Sequence, residues 1–117
     1  MFEALFKKLE AQIVGFRFAA VVGDDGIEVE VYMKSELPHE MLSAEMNGIV
    51  RTINRMQGEL SLGKLSEMVV RAEEQNVILS NLQEGLFILV VTDSSETTGR
   101  TRYLIQAIAP EFMSVLG

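Results

Sequence analysis

Apolar residues recur along this chain at two periods, and each change of period marks a new element. Phe2, Leu5, Phe6, Leu9 and Ile13 share one helical face and predict an amphipathic helix over residues 2–13, which needs a sheet to cover. Phe16 through Val22 follows as a strand, and Gly23-Asp24-Asp25-Gly26 carries the Asp-Gly signal of a tight turn. Ile27, Val29 and Val31 then alternate with Glu28, Glu30 and Tyr32, the period of a strand with one wet face near a sheet edge. Pro38 suits the first residue of a helix, and beyond it Leu42, Met46, Ile49, Ile53, Met56 and Leu60 step alternately by four and three. This continuous core stripe predicts one long helix over residues 38–60, crossing the second face of the sheet. A third strand is expected near Glu67 to Glu73, centred on Met68-Val69-Val70.

From Gln75 to Gln106 two strands and a helix start follow with almost no spare residues. The apolar runs Val77 to Leu82 and Leu86 to Thr92 enclose Asn81-Leu82-Gln83-Glu84-Gly85, which reads as a tight hairpin loop with Gly85 at positive φ. Leu86-Phe87-Ile88-Leu89-Val90-Val91 has no polar alternation, so this strand is expected at the centre of a sheet covered on both faces. Asp93-Ser94-Ser95-Glu96 fits a capping box for a helix from about Ser95 to Leu116. Leu104, Ile105, Ile108, Phe112 and Leu116 keep the helical period across Pro110, which favours a kink over a stop. The order is therefore α-β-β-α-β-β-β-α, an α+β chain in three layers.

The 117 residues are 48% hydrophobic, suited to a single domain over residues 1–117 with a real core. With no cysteine, disulfides, thiolate metal sites and a cysteine nucleophile are excluded, and a reducing cytoplasm is the expected setting. Charged residues interrupt the first apolar segment, which does not suit a signal peptide, and no apolar run reaches the ~18 residues of a membrane span. A net charge of −7 opposes the phosphate backbone, so neither nucleic acid nor membrane insertion is expected. A protein partner with a basic or apolar patch suits this balance better.

Val21-Val22-Gly23-Asp24-Asp25-Gly26 in the first hairpin, and Leu86-Phe87-Ile88-Leu89-Val90-Val91 before Thr98-Gly99-Arg100-Thr101-Arg102, resemble the Roadblock family in this element order. That family includes a dynein light chain, the bacterial MglB group and the Ragulator subunits. The resemblance covers nearly the whole chain. It implies a profilin-like sandwich: a five-stranded antiparallel sheet, the long helix on one face, and the two terminal helices on the other. It further implies dimers through the long helix and third strand, and a role regulating or scaffolding small Ras-like GTPases, as in cell polarity or motility. No catalytic residue and no cofactor come with the family. Carried over, the dimer surface is the Pro38–Leu60 helix with Met68, Val69 and Val70, and Asn47, Arg51 and Asn54 are candidate partner contacts.

The residues support a dimer independently. Beside the core stripe runs a second one, Met41, Glu45, Gly48, Thr52, Arg55 and Glu59. In an antiparallel helix pair with its twofold axis near Val50, Glu45 would face Arg55 of the mate, Gly48 would face Thr52, and Met41 would face Glu59.

Other motifs weigh little. Gly58-Glu59-Leu60-Ser61-Leu62-Gly63-Lys64-Leu65 nearly matches a phosphate-binding loop, but Leu65 replaces the magnesium hydroxyl, and the motif follows a helix instead of opening one. His39 is the only histidine, a poor basis for serine catalysis. Asp24, Asp25, Glu28 and Glu30 read as a solvated face rather than an acid–base pair or a hard-cation site. Arg51, Arg55, Arg100 and Arg102 could each serve as an arginine finger, though surface pairing is the commoner fate. The expected function is binding the GTP-bound form of a small GTPase in the cytoplasm, either stimulating hydrolysis as MglB-like activators do or only holding that form in place. The alternative is a small-molecule-sensing or structural dimerisation module.

Overall fold

In the computed structural model, which describes residues 2–83 and 85–117, the chain runs α1 (Phe2–Gln12), β1 (Phe16–Gly23), β2 (Glu28–Met33), α2 (His39–Leu60), β3 (Glu67–Arg71), β4 (Gln75–Gln83), β5 (Leu86–Asp93) and α3 (Thr98–Leu116). The strands form one antiparallel sheet in the order β2-β1-β5-β4-β3. The wholly apolar β5 is therefore central, as its lack of alternation predicts. Phe16, Ala19, Val21, Ile88 and Val90 pack against α1 and α3 through Phe6, Leu9, Ile105 and Phe112. Phe18, Ala20, Val22, Leu89 and Val91 face α2 and its Val50. With alternate residues of the same strands serving two cores, a one-residue slip would exchange both faces at once.

The edge strand departs from expectation. β2 lies at the sheet edge, but its apolar set is not the covered one: Glu28 and Tyr32 are covered, on opposite faces of the sheet, whereas Val29, Val31 and Met33 are exposed. A bulge sets this, since Val21 faces Glu30 while Val22 faces Glu28, leaving Val29 as the extra residue. Tyr32 stacks on Phe6, and its hydroxyl donates to Glu10 Oε1 at 2.6 Å. That hydrogen bond, with desolvation and the carboxylates of Glu10 and Glu3, pushes the phenol's pKa up.

Three turns also differ in detail. β4 extends to Gln83 through an irregularity at Leu82, so the expected five-residue loop is shorter; Gly85 has φ +80°, and Glu84 lies outside the described residues. β3 ends at Arg71 rather than Glu73. Asp93 does not cap α3: Oδ1 accepts from the amide and hydroxyl of Ser95 at 2.9 and 2.6 Å, and Oδ2 from Arg17 at 2.7 Å. As the last residue of β5 its carboxylate is already committed, and α3 begins at Thr98 without a side-chain cap. The buried Asn76 holds the intervening loop by donating to the carbonyls of Asp93 and Glu96, both at 3.2 Å. α3 continues through Pro110, and its Arg100 donates to Gln12 O at the C-terminus of α1 at 3.1 Å.

Candidate functional site

The row of α2 that meets the sheet is His39, Ser43, Asn47 and Val50, flanked by Leu42, Met46 and Ile53. This is a shift from the expected core stripe. A strict four-and-three repeat averages 3.5 residues per turn, so on a straight helix it drifts about 20° per heptad off the contact line. Ile49, Met56 and Leu60 are carried onto an exposed apolar shoulder. Beside this shoulder the second stripe, Met41, Glu45, Gly48, Thr52, Arg55 and Glu59, is exposed throughout.

Gly48 is informative within that surface. A glycine inside a helix costs about 1 kcal/mol relative to alanine, so it needs a reason. Its own chain supplies none, because an added Cβ would meet no atom within 4 Å. The Thr52 hydroxyl donates back to Gly48 O at 3.0 Å, so its polarity is met inside the helix. The result is a low, quiet centre between apolar and charged flanks, suited to close approach of another helix.

The two ends of α2 are tied to opposite edges of the sheet. At its start Glu28, with a side chain only 8% exposed, accepts from Ser43 Oγ at 2.7 Å and lies 2.8 Å from His39 Nδ1; the imidazole stacks on Phe18. Glu28 is thus not part of a solvated acidic face, and His39 is half-buried against it. Ser43 donates to the carboxylate instead of the ring, which is not the geometry of a catalytic serine. At the far end Asn54 Oδ1 accepts from Leu65 N at 3.0 Å, and Asn81 donates to Leu65 O at 2.9 Å, leading the chain into β3. Met68, Val69 and Val70 lie half-buried on this edge strand.

Of the three candidate partner contacts, Asn47 is buried with its amide donating to Asp24 O at 3.1 Å, and Asn54 holds Leu65; Arg51 is exposed. Arg100 and Arg102 are engaged within the chain, Arg102 with Glu67 at 2.6 Å. Among the described residues Arg51 and Arg55 make no hydrogen bond or ion pair, and no group of three or more His, Asp or Glu could hold a metal. No helix of the described residues is long and apolar enough to cross a membrane. The segment resembling a phosphate-binding loop is the end of α2 and its turn, with Ser61 in the left-handed region.

No family model and no curated protein sequence matches this chain. Solved structures do. The gliding protein MglB of Thermus thermophilus superposes with a TM-score of 0.86 at 12% identity, over 97% of this chain and 86% of that one. A Roadblock/LC7 domain from Streptomyces avermitilis superposes with a TM-score of 0.74 at 15% identity, over 94% and 96%. The chain has the Roadblock fold. The profilin of Schizosaccharomyces pombe shares the Roadblock layers more distantly, with a TM-score of 0.59 at 12% identity over 87% and 88%.

The apolar shoulder of α2 escaped the periodicity argument because Ile49, Met56 and Leu60 satisfy a core repeat as written. Only the mismatch between 3.5 and 3.6 residues per turn signals that they stand aside. The anchoring of Glu28 by His39 and Ser43 spans separate elements and leaves no local signature.

Proposed function

We propose that this Roadblock-fold chain is a non-catalytic regulator or scaffold of a small Ras-like GTPase, acting as a homodimer in the cytoplasm. The observation that carries this reading is the outward face of α2, where a glycine with no internal purpose sits between an apolar shoulder and charges of both signs. Two copies related by a twofold axis near Val50 would bring Glu45 to Arg55 and Gly48 to Thr52, with the β3 edges at Met68, Val69 and Val70 adjoining. The paired helices would present Arg51 beside the dimer axis to the GTP-bound partner. Binding one nucleotide state better than the other is what shifts the partner's switch regions, and acceleration of hydrolysis would follow if the favoured state is the reactive one.

The ligand-sensing alternative has less support. The cleft between α2 and the sheet, lined by Asn47, Val50, Arg51 and Phe87, is about 220 Å³, below the usual range for a small-molecule site, and the larger clefts, of about 380, 390 and 450 Å³, are shallow and open to solvent. The test is to immobilise the native protein and compare what it retains from its own lysate charged with GDP or a non-hydrolysable GTP analogue. Retention of a small GTPase in the triphosphate state alone is the expected result; equal or absent retention would refute the reading.

A further inference from the structure

The edge of the sheet opposite β3 carries an apolar strip that the proposed dimer does not use. Val31 pairs with Ala20 and Met33 with Phe18, and directly opposed residues of antiparallel strands share a face, so both lie on the α2 side. α2 does not cover them: Val31 is 39% and Met33 41% exposed, and Val29 at the bulge is 51% exposed. Among the described residues β2 pairs only with β1, so its outer backbone groups are open to a further strand. Exposed, apolar edge strands are a liability, and the bulge at Val29 blunts only the start of β2, leaving Val31 and Met33 beyond it uncovered.

Charge indicates what that is. Residues 24–45 hold seven carboxylates and one lysine, whereas residues 51–71 hold four cations and two carboxylates. The β2 side of the molecule is thus strongly acidic. Its lysine, Lys34, lies 3.8 Å from Glu10, while Glu30 and Glu36 are exposed beside the strip. Two β2 edges meeting would bring like charges together, which opposes self-pairing through this strand. A basic segment would gain on both counts, with apolar residues over Val31 and Met33 and alternate cations on the side of Glu30.

We propose that the free edge of β2 is a strand-addition site for an extended segment of a partner protein in which apolar and basic residues alternate. This surface is independent of the α2 face and of any nucleotide state.

The test uses a fluorescent peptide of alternating valine and lysine, matched to the six residues of β2 and flanked by polar residues, titrated with the full chain by anisotropy. The site predicts binding that tightens as salt falls. Binding should weaken at least about tenfold, or 1.4 kcal/mol, in Val31→Ser/Met33→Ser and in Glu30→Lys/Glu36→Lys, and stay unchanged in Ile49→Glu. The charge variants alter only exposed side chains, so they remain informative if the first pair unfolds. Equal binding of a peptide with its lysines and valines in separate blocks would overturn the proposal, as would no binding at all. Concentration-dependent growth in mass abolished by Val31→Ser/Met33→Ser would also overturn it, by making a second copy the occupant.

Discussion

The carboxylate of Glu28 lies 2.8 Å from Nδ1 of His39, joining the edge strand to the first turn of α2. The same carboxylate takes the hydroxyl of Ser43, which is fully buried. Removing it leaves a buried hydroxyl without its acceptor, a mechanism that costs roughly 1–3 kcal/mol. Glu28→Ala is therefore expected to lower the urea midpoint markedly, and Glu28→Gln less, because an amide oxygen still accepts from Ser43. Equal losses in the two variants would show that the hydroxyl contact does not matter.

Gly48 separates folding from assembly. Alanine at this position meets open space within its own chain, so the helix should gain about 1 kcal/mol. The same methyl group thickens the proposed helix contact. Gly48→Ala should be more stable than the native chain at low concentration and should self-associate less tightly. Denaturation followed across a range of protein concentrations reads both effects, and a gain in stability with unchanged association would remove Gly48 from the interface.

Asp93 supplies a pH dependence of known sign. Its carboxyl is held below the usual carboxylate range, first by the Ser95 hydroxyl, then by the Ser95 amide and by Arg17. A lowered folded-state pKa contributes stability that is present above the unfolded value, about 3.9, and is lost as pH falls through the folded value. Asp93→Asn should thus be less stable than the native chain at neutral pH, with the gap closing below about pH 4. A gap that stays constant from neutral to acid would contradict the assignment.

The apolar shoulder makes a further prediction. Ile49→Glu places a charge on a residue already exposed in the single chain, so its folding should change by no more than about 0.5 kcal/mol. Its association should fall sharply, because a carboxylate would be desolvated against the mate. Sedimentation and thermal melting of the same sample separate the two effects; unaltered association would detach the shoulder from the interface.

What the chain pattern disclosed follows from where one signal dominates. β5 has six consecutive apolar residues and no competing reading, and Gly26 and Gly85 adopt the positive φ that their turns require. The pattern misleads where two signals coincide. Asp93 satisfies the pattern of a cap, yet as the last residue of β5 it serves Arg17 and Ser95. β2 alternates correctly, but the bulge at Val29 and the limited reach of α2 decide which set is covered. Within the candidate site, the six residues of the outward stripe are readable from spacing. The buried state of Asn47 is not, since its partner is the carbonyl of Asp24 in the turn between β1 and β2.

A dimer closed at Gly48 and Thr52 by the outward face of α2 would show directly in the mass of the particle in solution. Light scattering on the native chain and on Gly48→Arg at micromolar concentration tests it most directly. Twice the 13.0 kDa chain mass is expected for the native protein and a single chain for the variant, with unchanged secondary structure in both. A native protein that remains at the mass of one chain, or a variant that still dimerises, would contradict it.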